Sequence, residues 1–256
     1  MSDVLVSTAG HVGIAELNRP PDNYFDKELI GAIAAAFDGF VEGRMRAILL
    51  CAAGKNFCAG ANFSRPAGET VGSPRDRGTD HLYRHAVRLF RCPLPIVAVV
   101  QGAAVGGGLG LAMVGDFRVA SPQSRFSANF NRLGFHPGFG LSVTLPRAIG
   151  AQKATLLFYT GRRIGGEEAQ AIGLVDVLAS AEGLREAALS LATEIAQSAP
   201  VAVQSTRATL RQGLADAIAA ATEHELAEQQ RHFATADFKV GVKAMAERRL
   251  PVFEGR

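Results

Sequence analysis

The chain has 256 residues, 48% of them hydrophobic, which suits one large folded unit with room for a helical appendage and excludes a disordered chain. Its formal net charge of +3 is dispersed, with Arg248-Arg249 the largest basic cluster, and this excludes the footprint of a nucleic-acid binder. Three cysteines, Cys51, Cys58 and Cys92, lack CxxC spacing; they exclude a disulfide framework or zinc knuckle and read as buried thiols of a reducing compartment. The first residues show no basic start followed by an apolar run. No stretch approaches the ~20 apolar residues that span a bilayer. A soluble cytoplasmic protein with no membrane contact is therefore expected.

Residues 4–6 and 12–17, joined through Ala9-Gly10, read as two strands and a tight turn. The stretch 19–23 breaks the pattern. Asp26 then stands where it can cap a helix whose apolar positions Leu29, Ile30, Ile33, Phe37 and Phe40 recur at helical spacing. Residues 46–51 form a short apolar run, the mark of a buried strand, and a glycine-bearing loop follows over 53–62. Residues 63–79, rich in Gly, Pro, Ser and Arg, are expected to form a long mobile loop near a binding site. A helix is predicted over 80–90. There His81 and His85 have i, i+4 spacing that would suit a metal, but Arg84 and Arg88 share their face, so a solvated face is the reading.

The strongest strand signal is 95–100 (PIVAVV). It runs into Gly102 and Gly106-Gly107-Gly108, then into an apolar helix and a strand over 117–120. Residues 174–178 read as a further strand. Beyond them, 182–197, 201–211 and 215–232 are alanine-rich amphipathic helices. Alternating strands and helices give an α/β architecture, and the helical tail reads as a packing or oligomerisation module.

Two segments carry candidate chemistry, Gly54–Asn62 (GKNFCAGAN) and residues 101–110 (QGAAVGGGLG). Each follows a buried strand, and small residues let backbone approach a ligand closely. The second opens a helix, whose first amides point outward with partial positive charge and stabilise an oxyanion without any charged side chain. Close packing of a loop is the alternative. A nucleotide site is disfavoured, because neither GxxxxGK[ST] nor GxGxxG occurs in the right frame.

Together, GKNFCAGAN and, some forty residues on, PIVAVVQGAAVGGGLGLAMVGDFRVAS resemble the paired signature of the enoyl-CoA hydratase/isomerase (crotonase) family. LNRPPDNYFDKELI, RLGFHPGFGLSVTLPRAIG, TGRRIGGEEAQAIGLVDVL and GVKAMAERRLPVFEGR are similar to other family segments in the same order. The resemblance implies a crotonase-like α/β spiral of strand-strand-helix units over residues 1–196. It also implies a helical region over 197–256 that builds a homotrimer or a dimer of trimers. The implied partner is an acyl-CoA thioester, with coenzyme A as part of the substrate and no separate cofactor or metal. The thioester oxygen would sit between the amides matching Ala61 and Gly107. Ala59, Asn62, Phe63, Gly106, Phe130 and Gly138 would border the substrate. Met245 and Arg248 match residues of a neighbouring subunit's tail that reach the adenine end of coenzyme A, and Arg65 is a further candidate for its phosphates.

The resemblance breaks at the acids. The glutamates of the family's hydratases fall at Gly110 and Phe130, the aspartate of other branches at Gly138, and the histidine of a dehalogenase-like branch at Tyr83. General acid–base chemistry needs a titratable group within reach of the reacting atoms, so ordinary two-glutamate hydration is disfavoured. His136 titrates near neutral pH and is the candidate acid or base, against a loop histidine bonded to backbone. Tyr83 is a pocket hydroxyl or a satisfied core tyrosine. Cys58, with no base nearby, reads as a packed thiol, and Asn62 as a loop-bonding side chain. Phe130, Phe135 and Phe139 suggest an apolar acyl group. Two functions remain: an enzyme working through a stabilised thioester enolate, or a non-catalytic acyl-CoA binder of the same fold.

Overall fold

The computed structural model describes residues 2–63 and 81–256. Arg65 and almost all of the loop expected over 63–79 lie outside them. In chain order the elements begin β1 (Val4–Ala9), β2 (Val12–Leu17), α1 (Lys27–Glu42), β3 (Ala47–Ala52), α2 (Leu82–Arg91), β4 (Ile96–Val100), β5 (Ala103–Val105), α3 (Gly107–Ala112), β6 (Phe117–Ala120) and β7 (Arg125–Ser127). They continue with α4 (Leu141–Ile149), α5 (Ala151–Thr160), β8 (Arg163–Gly165), α6 (Gly166–Ala171), β9 (Val177–Leu178), α7 (Leu184–Gln197), α8 (Pro200–Leu210), α9 (Leu214–Phe233) and α10 (Ala236–Ala246).

The main sheet has the order β1-β2-β3-β4-β6-β9, with β1 antiparallel and the rest parallel. All six residues of β3 are buried, which explains its unbroken apolar run. Side chains alternate across the pleat. Ile48 and Leu50 enter the larger core with α1 and α2, whereas Leu49 and Cys51 face the alanine stripe Ala188, Ala192 and Ala196 of α7. Asp26 caps α1 as expected, its carboxylate accepting from the Leu29 amide at 2.9 Å.

A second sheet, β5-β7-β8, escapes the sequence pattern because each strand has three residues. The strand expected over 174–178 shortens to β9. Leu174 and Val175 both donate to the Ala169 carbonyl, bending the chain off α6 before it can pair. The solvated-face reading of His81 also needs correction. The residue is 3% exposed, and its ring accepts from the Tyr83 amide at the start of α2.

The loop after β3 is laid against the segment holding β5. The Phe57 amide donates to the Gln101 carbonyl (2.9 Å), the Cys58 amide to the Ala103 carbonyl (3.0 Å), and the Val105 amide to the Cys58 carbonyl (3.1 Å). Contact this close leaves no room for side chains. A Cβ on Gly60, whose φ is +90°, would stand 2.7 Å from the Val105 oxygen, and one on Gly108 would overlap the Cys58 carbonyl oxygen.

The C-terminal helices return to the same core, where α9 contributes Leu214 and Ile218. Glu225 of α9 is fully buried and accepts from the Gly140 amide (2.8 Å), the Ser142 amide (3.1 Å) and the Ser142 hydroxyl (2.6 Å). It therefore caps α4, whose own N-cap, Gly140, has no side chain to do so. Burial pushes this carboxyl above its ordinary range, against the downward pull of the three donors.

Urea unfolding of three variants measures these contacts. Glu225→Ala strands the buried Gly140 amide and the part-buried Ser142 amide and should cost about 2 kcal/mol in urea unfolding; a loss below about 1 kcal/mol would contradict the capping role. Gly108→Ala should cost at least about 3 kcal/mol in the same assay. Gly39→Ala, in the α1 interior with nothing within 4 Å of the new methyl, should instead stabilise by about 0.5–1 kcal/mol.

Candidate active site

Where the two glycine segments meet, their backbones form one wall of an apolar cavity. Ala59, Gly60 and Ala61 line it from the first loop, and Val105, Gly106 and Gly107 from the second. Phe25 pairs with Ala61 as an isolated parallel bridge, its own amide donating to the Gly60 carbonyl at 3.0 Å. Among the described residues, neither the Ala61 nor the Gly107 amide donates to a backbone carbonyl. Gly107 is the first residue of α3, so its amide belongs to the turn that a helix leaves unbonded. A side chain there would overlap the Phe25 ring.

Two asparagines brace the first loop. Asn23, in the left-handed region at φ +49°, donates to the Ala53 and Asn56 carbonyls, both at 2.7 Å. The Asn56 carboxamide accepts from the Ala103 amide at 3.0 Å and donates to Asp22 at 2.7 Å. Both loop amides are thus held by a network that does not use them.

The remaining walls are aromatic: Phe25, Phe63, Phe130, Phe135, Phe139 and Phe233. Phe135 is the hub, with ring centroids 5.2–5.7 Å from Phe63, Phe130, Phe233 and Phe238. Phe139 holds a positive φ of +64°, rare for a bulky residue, and this brings its side chain over Gly110. A Cβ on Gly110 would lie 2.7 Å from the Phe139 Cβ.

Three polar side chains line the cavity among its described residues: Tyr83, Asn129 and Gln229. The Tyr83 hydroxyl donates to Gln229 Oε1 at 2.9 Å, and Gln229 Nε2 donates to the His136 carbonyl at 3.0 Å. Gly138 makes room for this pair, since a Cβ there would collide with the Tyr83 hydroxyl and the Gln229 amide.

Of the residues singled out in the sequence, Ala59, Ala61, Phe63, Gly106, Gly107, Phe130 and Met245 are brought together in the cavity wall. Asn62 follows Ala61 but is not in that wall. His136 is not there either: its ring Nδ1 lies 2.7 Å from the Pro137 carbonyl, its amide donates to His232, and its ring packs against His224 of α9. The loop-histidine alternative describes it, and its contribution to the cavity is the carbonyl that orients Gln229. Cys58 is buried and its thiol is pushed up to about 12 by desolvation, as a packed thiol should be. No group of three or more metal-ligating side chains occurs among the described residues.

Arg248 lines an adjoining cleft with Arg132, Arg163 and Arg249. This cleft shares Val105, Asn129 and Met245 with the aromatic cavity. Sequence reasoning missed Gln229 and Asn129. One lies in a polar amphipathic helix and the other in a loop, and only tertiary packing marks either.

The architecture and the chain's relatives agree. The family model for enoyl-CoA hydratase/isomerase matches residues 8–256. A Mycobacterium tuberculosis protein named "Probable enoyl-CoA hydratase EchA14" is 36% identical over 229 residues, covering 88% of each chain. The crystal structure of an enoyl-CoA hydratase/isomerase from Pseudoalteromonas atlantica T6c superposes with a TM-score of 0.87 at 31% identity, over 99% of this chain and 100% of that one. An enoyl-CoA hydratase from Bacillus anthracis has a TM-score of 0.76 at 30% identity, with full coverage of both chains. With two glycine-bearing segments lining an aromatic cavity, and this likeness running the length of the chain, the protein belongs to the enoyl-CoA hydratase/isomerase family.

Proposed function

We propose that this protein binds an acyl-coenzyme A thioester, polarises its carbonyl between the Ala61 and Gly107 amides, and turns it over through the thioester enolate without a carboxylate pair. The observation that carries this reading is the meeting, in one apolar cavity, of two residues whose amides donate to no backbone carbonyl among the described residues. Donors aimed at a developing oxyanion in such a site are each worth ~3–4 kcal/mol of barrier. The six phenylalanines suit an apolar acyl group. Arg132, Arg163 and Arg248 make no ion pair among the described residues, and their cleft suits the anionic end of coenzyme A.

Gly110 and Phe130 stand where the family resemblance places glutamates, and Phe139 fills the space over Gly110. Tyr83 is the one titratable side chain in the cavity wall among the described residues, so in this reading it handles the proton. A second reading, a non-catalytic acyl-CoA binder, is favoured by the lack of a carboxylate among the described residues of the wall. A homotrimer or dimer of trimers suits α8, which has no buried residue in the single chain and leaves Val201 81% and Leu210 69% exposed. No helix among the described residues is long and apolar enough to cross a membrane. The three buried free thiols suit a reducing cytoplasm.

Loss of the conjugated thioester absorbance of crotonyl-CoA and longer 2-enoyl-CoAs tests the reading. Tyr83→Phe should lower kcat about 10²-fold or more with KM little changed. His136→Ala should stay within about threefold of the parent. Full activity in Tyr83→Phe would remove the tyrosine from the mechanism. Thermal stabilisation by saturated acyl-CoAs without turnover of any thioester would favour the binder. Failure to bind any acyl-CoA would overturn both readings.

A further inference from the structure

The loop that lies between the cavity and α9 is pinned at one residue from both sides. The His136 amide donates to His232 Nδ1 at 3.1 Å, and the His136 carbonyl accepts from Gln229 Nε2 at 3.0 Å. Phe135 precedes this residue and Phe139 follows it closely, and both rings belong to the cavity wall. Gln229 carries the hold onward to the Tyr83 hydroxyl. Of the two pins, only the imidazole changes its charge near neutral pH.

The direction of that bond fixes the state of the ring. An imidazole nitrogen accepts only while it carries no proton, so the His136 amide requires a neutral His232 with its proton on Nε2. Nε2 lies 4.0 Å from Glu228 Oε2, and the carboxylate favours a proton on that side. A second proton must then enter at Nδ1, where it meets the His136 N–H and turns a hydrogen bond into a contact between two donors. The neighbouring rings act in the same sense. His136 stacks on His232 with centroids 6.5 Å apart and meets His224 edge-on at 5.7 Å, so charge gained by more than one of them repels. Among the described residues, the other charged groups about this cluster are Glu225, Glu228 and Arg231 on α9 and Asp237 in the first turn of α10. Each is engaged elsewhere: Glu228 pairs with Arg231 at 2.8 Å, Glu225 caps α4, and Asp237 accepts from the Glu254 and Gly255 amides, both at 2.8 Å. We propose that His232 is an acid-released latch on the cavity: neutral, it holds the loop of Phe135 and Phe139 in place, and protonated, it lets go of the His136 amide and the loop loosens. His232 is partly exposed, so solvent supplies the proton directly.

Hydrogen exchange at the His136 amide, followed by NMR on the intact protein, reads the latch without any ligand, so the outcome does not depend on the acyl-CoA reading. Corrected for intrinsic exchange, protection of this amide should fall about tenfold or more between about pH 7.5 and about pH 5.5. The Ile48 amide, which donates to the Pro95 carbonyl in the main sheet, should keep its protection and so separate release of the loop from general unfolding. His232→Asn supplies an acceptor oxygen that does not titrate, and its His136 amide should stay protected to within about threefold across the same range. His232→Leu supplies no acceptor and should be poorly protected at both ends. Protection in the parent that does not change with pH would overturn the proposal, and this arm needs no variant to fold. An undiminished pH dependence in His232→Asn would assign the titration to another group and overturn it too. So would imidazole ¹⁵N shifts that place the single proton of His232 on Nδ1 at about pH 7.5.

Discussion

Two stretches of backbone approach each other more closely than side chains allow, and the rest of the molecule is arranged around that contact. The Cys58 carbonyl accepts from the Val105 amide on one side, and on the other it occupies the volume where Gly108 would carry a Cβ. The ladder between the segments satisfies their inward-facing groups, while Asn23 and Asn56 tie down the outer edge of the first loop. Among the described residues the Ala61 and Gly107 amides donate to no backbone carbonyl. Pre-organised donors of this kind cost no reorganisation when charge develops beside them. The main sheet supports the contact from below, since β3 and β4 are adjacent and parallel and deliver both segments to the same end.

The aromatic wall sets what can happen near those amides. Phe139 fills the volume over Gly110, and Phe130 packs edge-on against Phe135. A side chain at 110 would require a change at 139 as well, so these two sites are coupled by volume. The α9 helix completes the wall with Gln229 and Phe233, and Glu225 on the same helix fastens it to the α4 N-terminus. The cavity's shape therefore depends on a buried carboxylate that does not line it.

Long-period features of this fold are legible in the sequence. The apolar run of β3, the Asp26 cap and the spacing of α1 identify their elements because each is decided by local pattern or burial on both faces. The glycine segments point to the site for a related reason: glycine clusters after buried strands mark close backbone approach. The strands β5, β7 and β8 are hidden because three residues carry no period. His81 and His136 were placed by helix face and loop proximity, but neither a solvated face nor a cavity wall holds them. A capping bond draws His81 inward, and packing against α9 turns the His136 ring away. Gln229 and Asn129 lie far from either glycine segment in the chain or outside its motif, so their roles arise only when α9 and the loop after β7 fold against it.

The central claim is that two backbone amides polarise a thioester carbonyl. Infrared spectroscopy of a saturated acyl-CoA carrying ¹³C at that carbonyl, bound to the intact protein, reads this directly. Two aligned donors should pull the carbonyl stretch below its value in water. A bound carbonyl that stretches above its value in water, as in an apolar cavity without donors, would contradict the account.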